Sequence, residues 1–330
     1  MKKILLIRFS SIGDIVLTTP VIRALKSQLN CELHVLTKKQ YSGIYLSNPN
    51  VDKVHFFKSE LSEVLTELKK QQFDFVVDLQ KNLRSLKVKR ALKCPSASFP
   101  KLNRQKWLLV NFKINKLPDV HIVDRYFEAV KTLDVENDKK GLDYFIPNDA
   151  IVNPAEIDSR LSKKYIAFVI GGQHFTKMMP AEKVASIITK LDYPVVLLGG
   201  KEDASKGGEI IKLAENPNVF NACGKFSLDQ SASLIQQSAV VITNDTGLMH
   251  IAAAFQKPIV SLWGNTVPRF GMYPYLPGSG NQSFIAEVKG LKCRPCSKLG
   301  FKKCPKKHFK CMIEQDEGLI VRKAIAFVKE

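Results

Sequence analysis

No apolar run in this 330-residue chain approaches the ~18–20 residues that a membrane-crossing helix needs. Met1-Lys2-Lys3-Ile4-Leu5-Leu6-Ile7-Arg8 imitates a signal peptide for four apolar residues, and Arg8 then ends the likeness. The stretch reads as a first β-strand in a protein expected to stay in the cytoplasm. No G-x-G-x-x-G follows a candidate strand and G-x-x-x-x-G-K-[ST] is missing, so the dinucleotide and P-loop readings lack their glycines. D-x-D is absent too. Its near misses, Asp134/Glu136 and Glu314/Asp316, do not stand at strand ends, which argues against chemistry that holds a metal–diphosphate on paired carboxylates. Without G-x-S-x-G there is no nucleophile elbow of the hydrolase type.

Acids are missing from two long stretches. Residues 81–116 hold eleven Lys/Arg and no Asp or Glu, and residues 289–310 hold nine and again no acid. They carry +20 of a net charge of +19, so the rest of the chain sums to −1. A merely solvated basic surface would intersperse Glu with Lys. Charge this localised implies an anionic partner: a membrane surface, a phosphorylated glycolipid or a nucleic acid. Nucleic acid is the least favoured, because few aromatics for base stacking lie in or beside these stretches (Phe99, Trp107, Phe112, Phe301 and Phe309) and no recognised motif accompanies them.

Seven cysteines is an odd count for a disulfide framework. Cys31, Cys94 and Cys223 lie in apolar or strand-like surroundings and read as packing residues. Cys293, Cys296, Cys304 and Cys311 form a C-x2-C-x7-C-x6-C cluster inside the second basic stretch. The cluster is a candidate structural zinc site. Reduced or redox-labile thiols are the alternative.

The hydrophobic pattern is that of an α/β chain: 45% hydrophobic and 25% charged, long enough for two domains. Strands are expected at Ile4–Ile7, Glu32–Leu36, Val54–Phe57 and Phe73–Leu79, with helices at Val21–Leu29, Leu61–Lys70 and Val123–Leu133. Pro20 suits the first turn of a helix. A polar, turn-rich stretch near residues 140–163 reads as a linker. A second alternating half begins at Tyr165–Ile170. Strands Val195–Leu198, Val219–Asn221, Ala239–Thr243 and Ile259–Leu262 follow, with helices near 181–191, 204–215, 228–237 and 248–256. Short apolar runs joined by helices mean parallel sheets with crossover connections. The expected architecture is two Rossmann-like, doubly wound domains facing across a cleft, residues 1–158 and 159–318. A closing helix, 319–330, is set apart by the cysteine stretch and must dock somewhere.

Three strand ends carry candidate chemistry. Thr243-Asn244-Asp245-Thr246-Gly247-Leu248-Met249-His250 joins a buried strand to a helix whose N-terminal amides and dipole attract anions. Gly247 admits a ligand close to the backbone, Thr246 offers a hydroxyl, and His250 follows one turn later. The alternative is an Asp N-cap before an ordinary core helix. Gly171-Gly172-Gln173-His174-Phe175-Thr176-Lys177 resembles a phosphate-binding turn with Lys177 as its point charge. Glu202, after Gly199-Gly200-Lys201, is placed to hold ribose hydroxyls, or else sits on an exposed turn. At the end of the first strand, Ser10-Ser11-Ile12-Gly13-Asp14 puts a carboxylate on the rim, with Gly13 permitting the tight turn. Asp14 is then a general base for an attacking hydroxyl or a helix cap.

The run Lys3-Ile4-Leu5-Leu6-Ile7-Arg8-Phe9-Ser10-Ser11-Ile12-Gly13-Asp14-Ile15-Val16-Leu17-Thr18-Thr19-Pro20 resembles the bacterial ADP-heptose:lipopolysaccharide heptosyltransferases, glycosyltransferase family nine. Asn244–His250 followed by Pro258-Ile259-Val260-Ser261-Leu262-Trp263-Gly264 is similar to that family's other signature, and Lys177 after the paired glycines matches a looser third. The resemblance runs in order from residue 1 to about 312. It implies a GT-B fold, with an acceptor-binding domain at 1–158, a nucleotide-sugar-binding domain at 159–318 and the closing helix 319–330 packing back on the first domain, and an inverting transfer that requires no metal. It assigns Asp14 as general base, with Ser11 and Gly13 beside it, and Lys177 as a phosphate contact. Asp245, Thr246, Gly247 and His250 become the donor diphosphate site, and Phe226 the apolar residue against the base. The family commonly carries a cysteine-rich stretch like 293–311. Gln173–Thr176 and Met178-Met179-Pro180 depart from the usual turn, so reaction type is better specified than the sugar.

The leading reading is thus a glycosyltransferase moving a sugar, heptose from an ADP-sugar, to an anionic glycolipid such as the lipopolysaccharide inner core. Association with the cytoplasmic face of the inner membrane goes with it. The competing readings are a nucleotide-fold module binding nucleic acid or an anionic membrane without turnover, and a nucleotide-sugar epimerase on the same fold.

Overall fold

The computed structural model describes residues 1–278 and 282–330. The chain divides into two compact units, Met1–Leu102 with Val120–Phe145, and Asn103–Asp119 with Ile146–Glu330. Among the described residues no helix is long and apolar enough to cross a membrane.

The first unit is built on five parallel strands: β1 (Lys2–Ile7), β2 (Cys31–Lys38), β3 (Lys53–Phe57), β4 (Phe75–Asp78) and β5 (Ser96–Ser98), in the order β3-β2-β1-β4-β5. Ile4, Leu5, Leu6 and Ile7 are all fully buried. Helices cover both faces of such a sheet, which is why β1 reads as an unbroken apolar run rather than an alternating one. Leu5, Ile7, Phe9, Leu36 and Phe57 share one core with Leu68 and Val76. Pro20 stands in the first turn of helix Thr19–Gln28, where its missing N–H is not needed. The helix expected over 123–133 is shorter: Ile122–Phe127, then a 3₁₀ turn Lys131–Leu133 ended by Asp134 at φ 56°.

The second unit has six parallel strands: β6 (Ile166–Val169), β7 (Val195–Leu198), β8 (Val219–Asn221), β9 (Val240–Asn244), β10 (Ile259–Trp263) and β11 (Ser283–Glu287). Their order is β11-β10-β9-β6-β7-β8. Both sheets are therefore doubly wound, as expected. Each reverses strand order once, between β1 and β4 in the first and between β6 and β9 in the second. Ligands of open α/β sheets bind outside the C-terminal ends of the strands at that reversal.

Two expectations of domain layout change. Residues 103–119 group with the second unit, and the division falls at 145/146 rather than 158/159. The closing helix, Glu317–Lys329, buries Ile320, Val321, Ala324, Phe327 and Val328 in the core of the second unit instead of returning to the first. Asp316 caps it by accepting from the Leu319 amide at 2.9 Å, and Glu317 is anchored to Lys183, Lys190 and Ser186 of the same unit. An apolar stripe this wide finds its partner on the nearest uncovered sheet face.

Candidate functional site

In the first unit, the chain leaves β1 at Ile7 and turns into a short helix, Ile12–Val16, with Asp14 in its first turn. The Asp14 side chain is 24% exposed and its Oδ1 lies 2.8 Å from Nη2 of Arg8. Its Oδ2 accepts from the Ser11 amide at 3.3 Å and the Ser11 hydroxyl at 3.1 Å. The N-cap of this helix is Ser11 rather than Asp14; Asp14, the third helical residue, reaches back to the Ser11 amide and is still partly open to solvent. Gly13 is buried, whereas Ser11 is exposed.

Arg8, which sequence reasoning passed over, is the residue that holds Asp14 in place. Its guanidinium donates to Leu79 O at 2.6 Å, Ser10 O at 2.9 Å and the Tyr126 hydroxyl at 3.1 Å, besides pairing with Asp14. Leu79 directly follows β4, so Arg8 ties together both sides of the strand-order reversal. Burial works against its charge, but Asp14, Tyr126 and Tyr45 outweigh burial and raise Arg8 above its ordinary value. Burial also pushes the Tyr126 phenol up to about 12, keeping it a neutral partner. The clue available beforehand was an arginine placed directly after a fully apolar strand.

In the second unit, the reversal point is assembled from the ends of β6 and β9. The Asn244 amide donates to Val169 O, Ile170 O and Gly171 O at 3.2–3.3 Å, and its oxygen accepts from the Met179 amide at 3.3 Å. Lys177 Nζ lies 2.6 Å from Asp245 Oδ2 and 3.4 Å from Asp245 O. The same Oδ2 accepts from the Thr266 hydroxyl at 2.8 Å. An ammonium has three N–H donors. Two are accounted for, leaving one for a ligand. Thr266 is a second residue that sequence reading missed; it follows β10 and carries no motif of its own.

Thr246 is the extended N-cap of helix Gly247–Ala254, and its hydroxyl is buried with no hydrogen-bond partner among the described residues. The first-turn amides of a helix lack intrahelical acceptors. Together with the Lys177 ammonium they form a seat for anionic oxygen. His250 is buried in the same helix. Gly172 packs against this seat: a Cβ there would come 3.0 Å from Met178 Cγ and 3.6 Å from Thr246 Cγ2.

The remaining expected ligand residues lie along the β7–β8 side of the sheet. Glu202 is exposed on the turn after β7, and Phe226 is half-buried on the loop after β8. Those loops touch, Gly224 N donating to Gly199 O at 3.1 Å. The buried acid on that turn is Asp203, next to Glu202. It accepts from the Gly200 amide at 2.9 Å and packs against Gly171 and Gly199. Burial raises its carboxyl above the usual range.

The four-cysteine cluster does not behave as a preformed zinc site. Among the described residues no group of three or more His, Cys, Asp or Glu side chains is arranged to hold a metal ion. Cys311 belongs to the hydrophobic core, the Cys296 thiol donates to Cys293 O at 3.1 Å, and Cys293 Sγ lies 3.8 Å from His308 Nε2. Burial and the neighbouring thiols push Cys296 up to about 11 and Cys311 up to about 12.

A family model, glycosyltransferase family 9 (heptosyltransferase), matches residues 62–305. Lipooligosaccharide heptosyltransferase 2 of Haemophilus influenzae is 28% identical over 325 residues, spanning 90% of this chain and 92% of that protein. A family 9 glycosyl transferase from Veillonella parvula superposes with TM-score 0.78 at 22% identity, over 99% of this chain and 97% of that one. The ADP-heptose lipopolysaccharide heptosyltransferase II of Escherichia coli superposes with TM-score 0.74 at 20% identity, over 100% and 99%. At these identities the structural likenesses concern the fold.

Proposed function

Since the chain belongs to glycosyltransferase family 9, we propose that it moves heptose from ADP-heptose to a hydroxyl of an anionic glycolipid in lipopolysaccharide synthesis, with inversion and without a metal. The carrying observation is the Lys177 ammonium, held by Asp245 and Thr266 at the β6/β9 reversal beside the helix that starts at Gly247. Family membership favours transfer over the epimerase and the passive binding module. The names of the H. influenzae and E. coli relatives support heptose, and that of the second supports an ADP donor.

In this reading the acceptor oxygen forms a bond to the anomeric carbon as the bond from that carbon to the β-phosphate oxygen breaks. The hydroxyl proton passes to Asp14, and ADP leaves with the bonding electron pair. Lys177, the Thr246 hydroxyl and the Gly247 turn take up the charge that develops on the leaving group. Metal independence rests on charge balance. Asp245 is the acid at the diphosphate seat, and Lys177 already neutralises it. The ADP moiety extends from the seat toward Glu202 and Phe226. Work at the cytoplasmic face of the inner membrane fits a lipid-linked acceptor and the two acid-free basic stretches.

Asp14→Asn tests the mechanism. A positioned general base contributes ~10²–10⁴-fold in rate, so kcat should fall by about that factor while ADP affinity by calorimetry stays within about twofold. Full activity in Asp14→Asn would refute the role. For the donor, thermal-shift titration should show stabilisation by ADP over UDP and GDP; the reverse order would redirect the nucleotide.

A further inference from the structure

The second unit contains a recess of about 610 Å³ distinct from the diphosphate seat. That volume lies within the ~300–1,000 Å³ of small-ligand sites. Its walls are the end of helix Asn103–Phe112, residues 267–269 after β10, and residues 287–295 after β11. Leu109, Val267, Pro268 and Leu291 supply apolar surface of the kind on which a sugar ring rests.

The polar lining is almost all of one sign. Lys113, Arg269, Lys289, Lys292 and Arg294 face a single acid, Glu287. Glu287 is already taken, 2.7 Å from Arg294. Arg294 is spent on structure, donating also to Gly264 O, Thr266 O and Val288 O, so it braces the wall. Arg269 pairs with Asp119 at 3.0 Å and Lys113 donates to Val110 O and Pro295 O, both at 2.7 Å. Lys289 and Lys292 are exposed and make no ion pair or side-chain hydrogen bond among the described residues. Gathering cations in one recess opposes folding through mutual repulsion, and an anion relieves it.

Position identifies the ligand. The sheet order places β11 and β10 on one side of the β9/β6 seat and β7 and β8 on the other. The nucleoside of the proposed donor runs toward β7 and β8, whereas the recess lies by β10 and β11. The two sites adjoin through the chain itself: Thr266, which holds Asp245, directly precedes Val267 in the recess wall. We infer that the recess binds a phosphoryl or carboxylate substituent of the saccharide that accepts the transferred sugar, with Lys289 and Lys292 as its direct contacts. This rests on the transferase reading and names how the acceptor is chosen.

The test is Lys289→Ala with Lys292→Ala in the full-length enzyme. Removing two charge-assisted hydrogen bonds should raise the KM for the acceptor glycolipid by about tenfold or more, with kcat and the KM for ADP-heptose within about twofold. Lys69→Ala with Lys70→Ala removes equal charge from an exposed helix end in the first unit and should change none of the three. Treating the acceptor with phosphatase, or reducing its carboxylates, should weaken it for the wild-type enzyme by the same factor, and one of these treatments should cost the double variant nothing further. An unchanged acceptor KM, an equal loss for ADP-heptose, or losses that multiply would overturn the inference. Calorimetry with the delipidated, phosphorylated acceptor saccharide reads the recess even if no transfer from ADP-heptose is seen. Binding about tenfold weaker in the double variant supports the recess while the transferase reading fails. Equal binding by both proteins overturns the recess alone.

Discussion

Lys177→Ala removes the cation at the proposed diphosphate seat and also uncovers Asp245. Two effects follow, and the structure lets them be separated. The first is loss of a donor to the departing phosphate. Removing one such donor costs about 10²–10³ in kcat, ~2.7–4 kcal/mol. The second is repulsion. Asp245 is only 11% exposed in its side chain and pairs with Lys177 at 2.6 Å, so the variant leaves a carboxylate facing an incoming anion. At ~4 Å and an effective dielectric of ~20, two like charges repel by about 4 kcal/mol, and solvent entering the truncated site reduces this. ADP affinity should therefore fall by at least about tenfold, ~1.4 kcal/mol. Lys177→Ala with Asp245→Asn keeps an acceptor for the Thr266 hydroxyl but removes the charge. It should recover most of the lost ADP affinity and little of the lost kcat. The assays are calorimetry with ADP, steady-state transfer from ADP-heptose, and the coupling energy of the two-residue cycle. If Lys177→Ala keeps kcat within threefold of wild type (about 0.7 kcal/mol), or the double variant binds ADP no better than the single, the reasoning is wrong.

Arg8→Met should lower kcat by about tenfold or more through misplacement of Asp14 and destabilise the fold by ~1–3 kcal/mol through the abandoned Leu79 carbonyl and Tyr126 hydroxyl; ADP affinity, measured in parallel, should not move. Gly171→Ala places a Cβ 2.3 Å from Asp203 Oδ2. It should lower the denaturant midpoint by an amount worth ~1–3 kcal/mol, and adding Asp203→Ala should return part of that. Acid should also destabilise the fold through a buried histidine pair. His34 and His55 are buried against each other, Nδ1 to Nε2 at 2.9 Å, with Glu32 and Glu67 at their outer nitrogens. Burial lowers both, His55 to about 4, against the partial support of those carboxylates. An unfolded histidine titrates near ~6.5, so below that pH the unfolded chain takes up protons that the fold refuses. For His55 stability should fall between pH 6.5 and 4 by up to about 1.4 kcal/mol per pH unit, with a change of the same sign from His34, and His55→Phe should flatten the profile in urea titrations across that range.

Both sheets were legible because their inner strands are buried on both sides and carry runs such as Ile4–Ile7 and Val195–Leu198. Of the four edge strands, β3 and β8 were legible as Val54–Phe57 and Val219–Asn221, whereas β5 and β11 were not. Ser96–Ser98 is three residues without an apolar one larger than alanine, and Ser283–Glu287 is only partly buried. Helix Leu83–Leu92 hid inside a basic stretch because Arg84, Lys87, Lys89 and Arg90 interrupt its apolar positions, of which only Val88 is buried, and Asn103–Phe112 buries only Leu109. Of the candidate site, Asp14, Lys177 and Asp245 announced themselves by the glycine-bearing turns in which they stand. Arg8 and Thr266 did not, because their partners Leu79, Tyr126 and Asp245 are 71, 118 and 21 residues away. At the turn after β7, sequence pointed to Glu202, whereas the acid folded into the structure is its neighbour Asp203. Nothing in the local pattern distinguishes the two.

The assignment of Asn103–Asp119 to the second unit has a practical consequence for dissecting the molecule. The polypeptide passes between the units three times, after residues 102, 119 and 145, so neither half is a contiguous piece of chain. A fragment beginning at residue 146 would lack Leu109 and Lys113 from the recess and would strip Arg269 of both Leu117 and Asp119. Its complement would carry an unsupported stretch of about seventeen residues that normally rests elsewhere. Shared ownership of this short stretch means that the halves are expressed together or lose part of their own surface. Separating the units by protease therefore takes cuts near residues 102, 119 and 145, and nicking at one or two of these positions should release no stable unit.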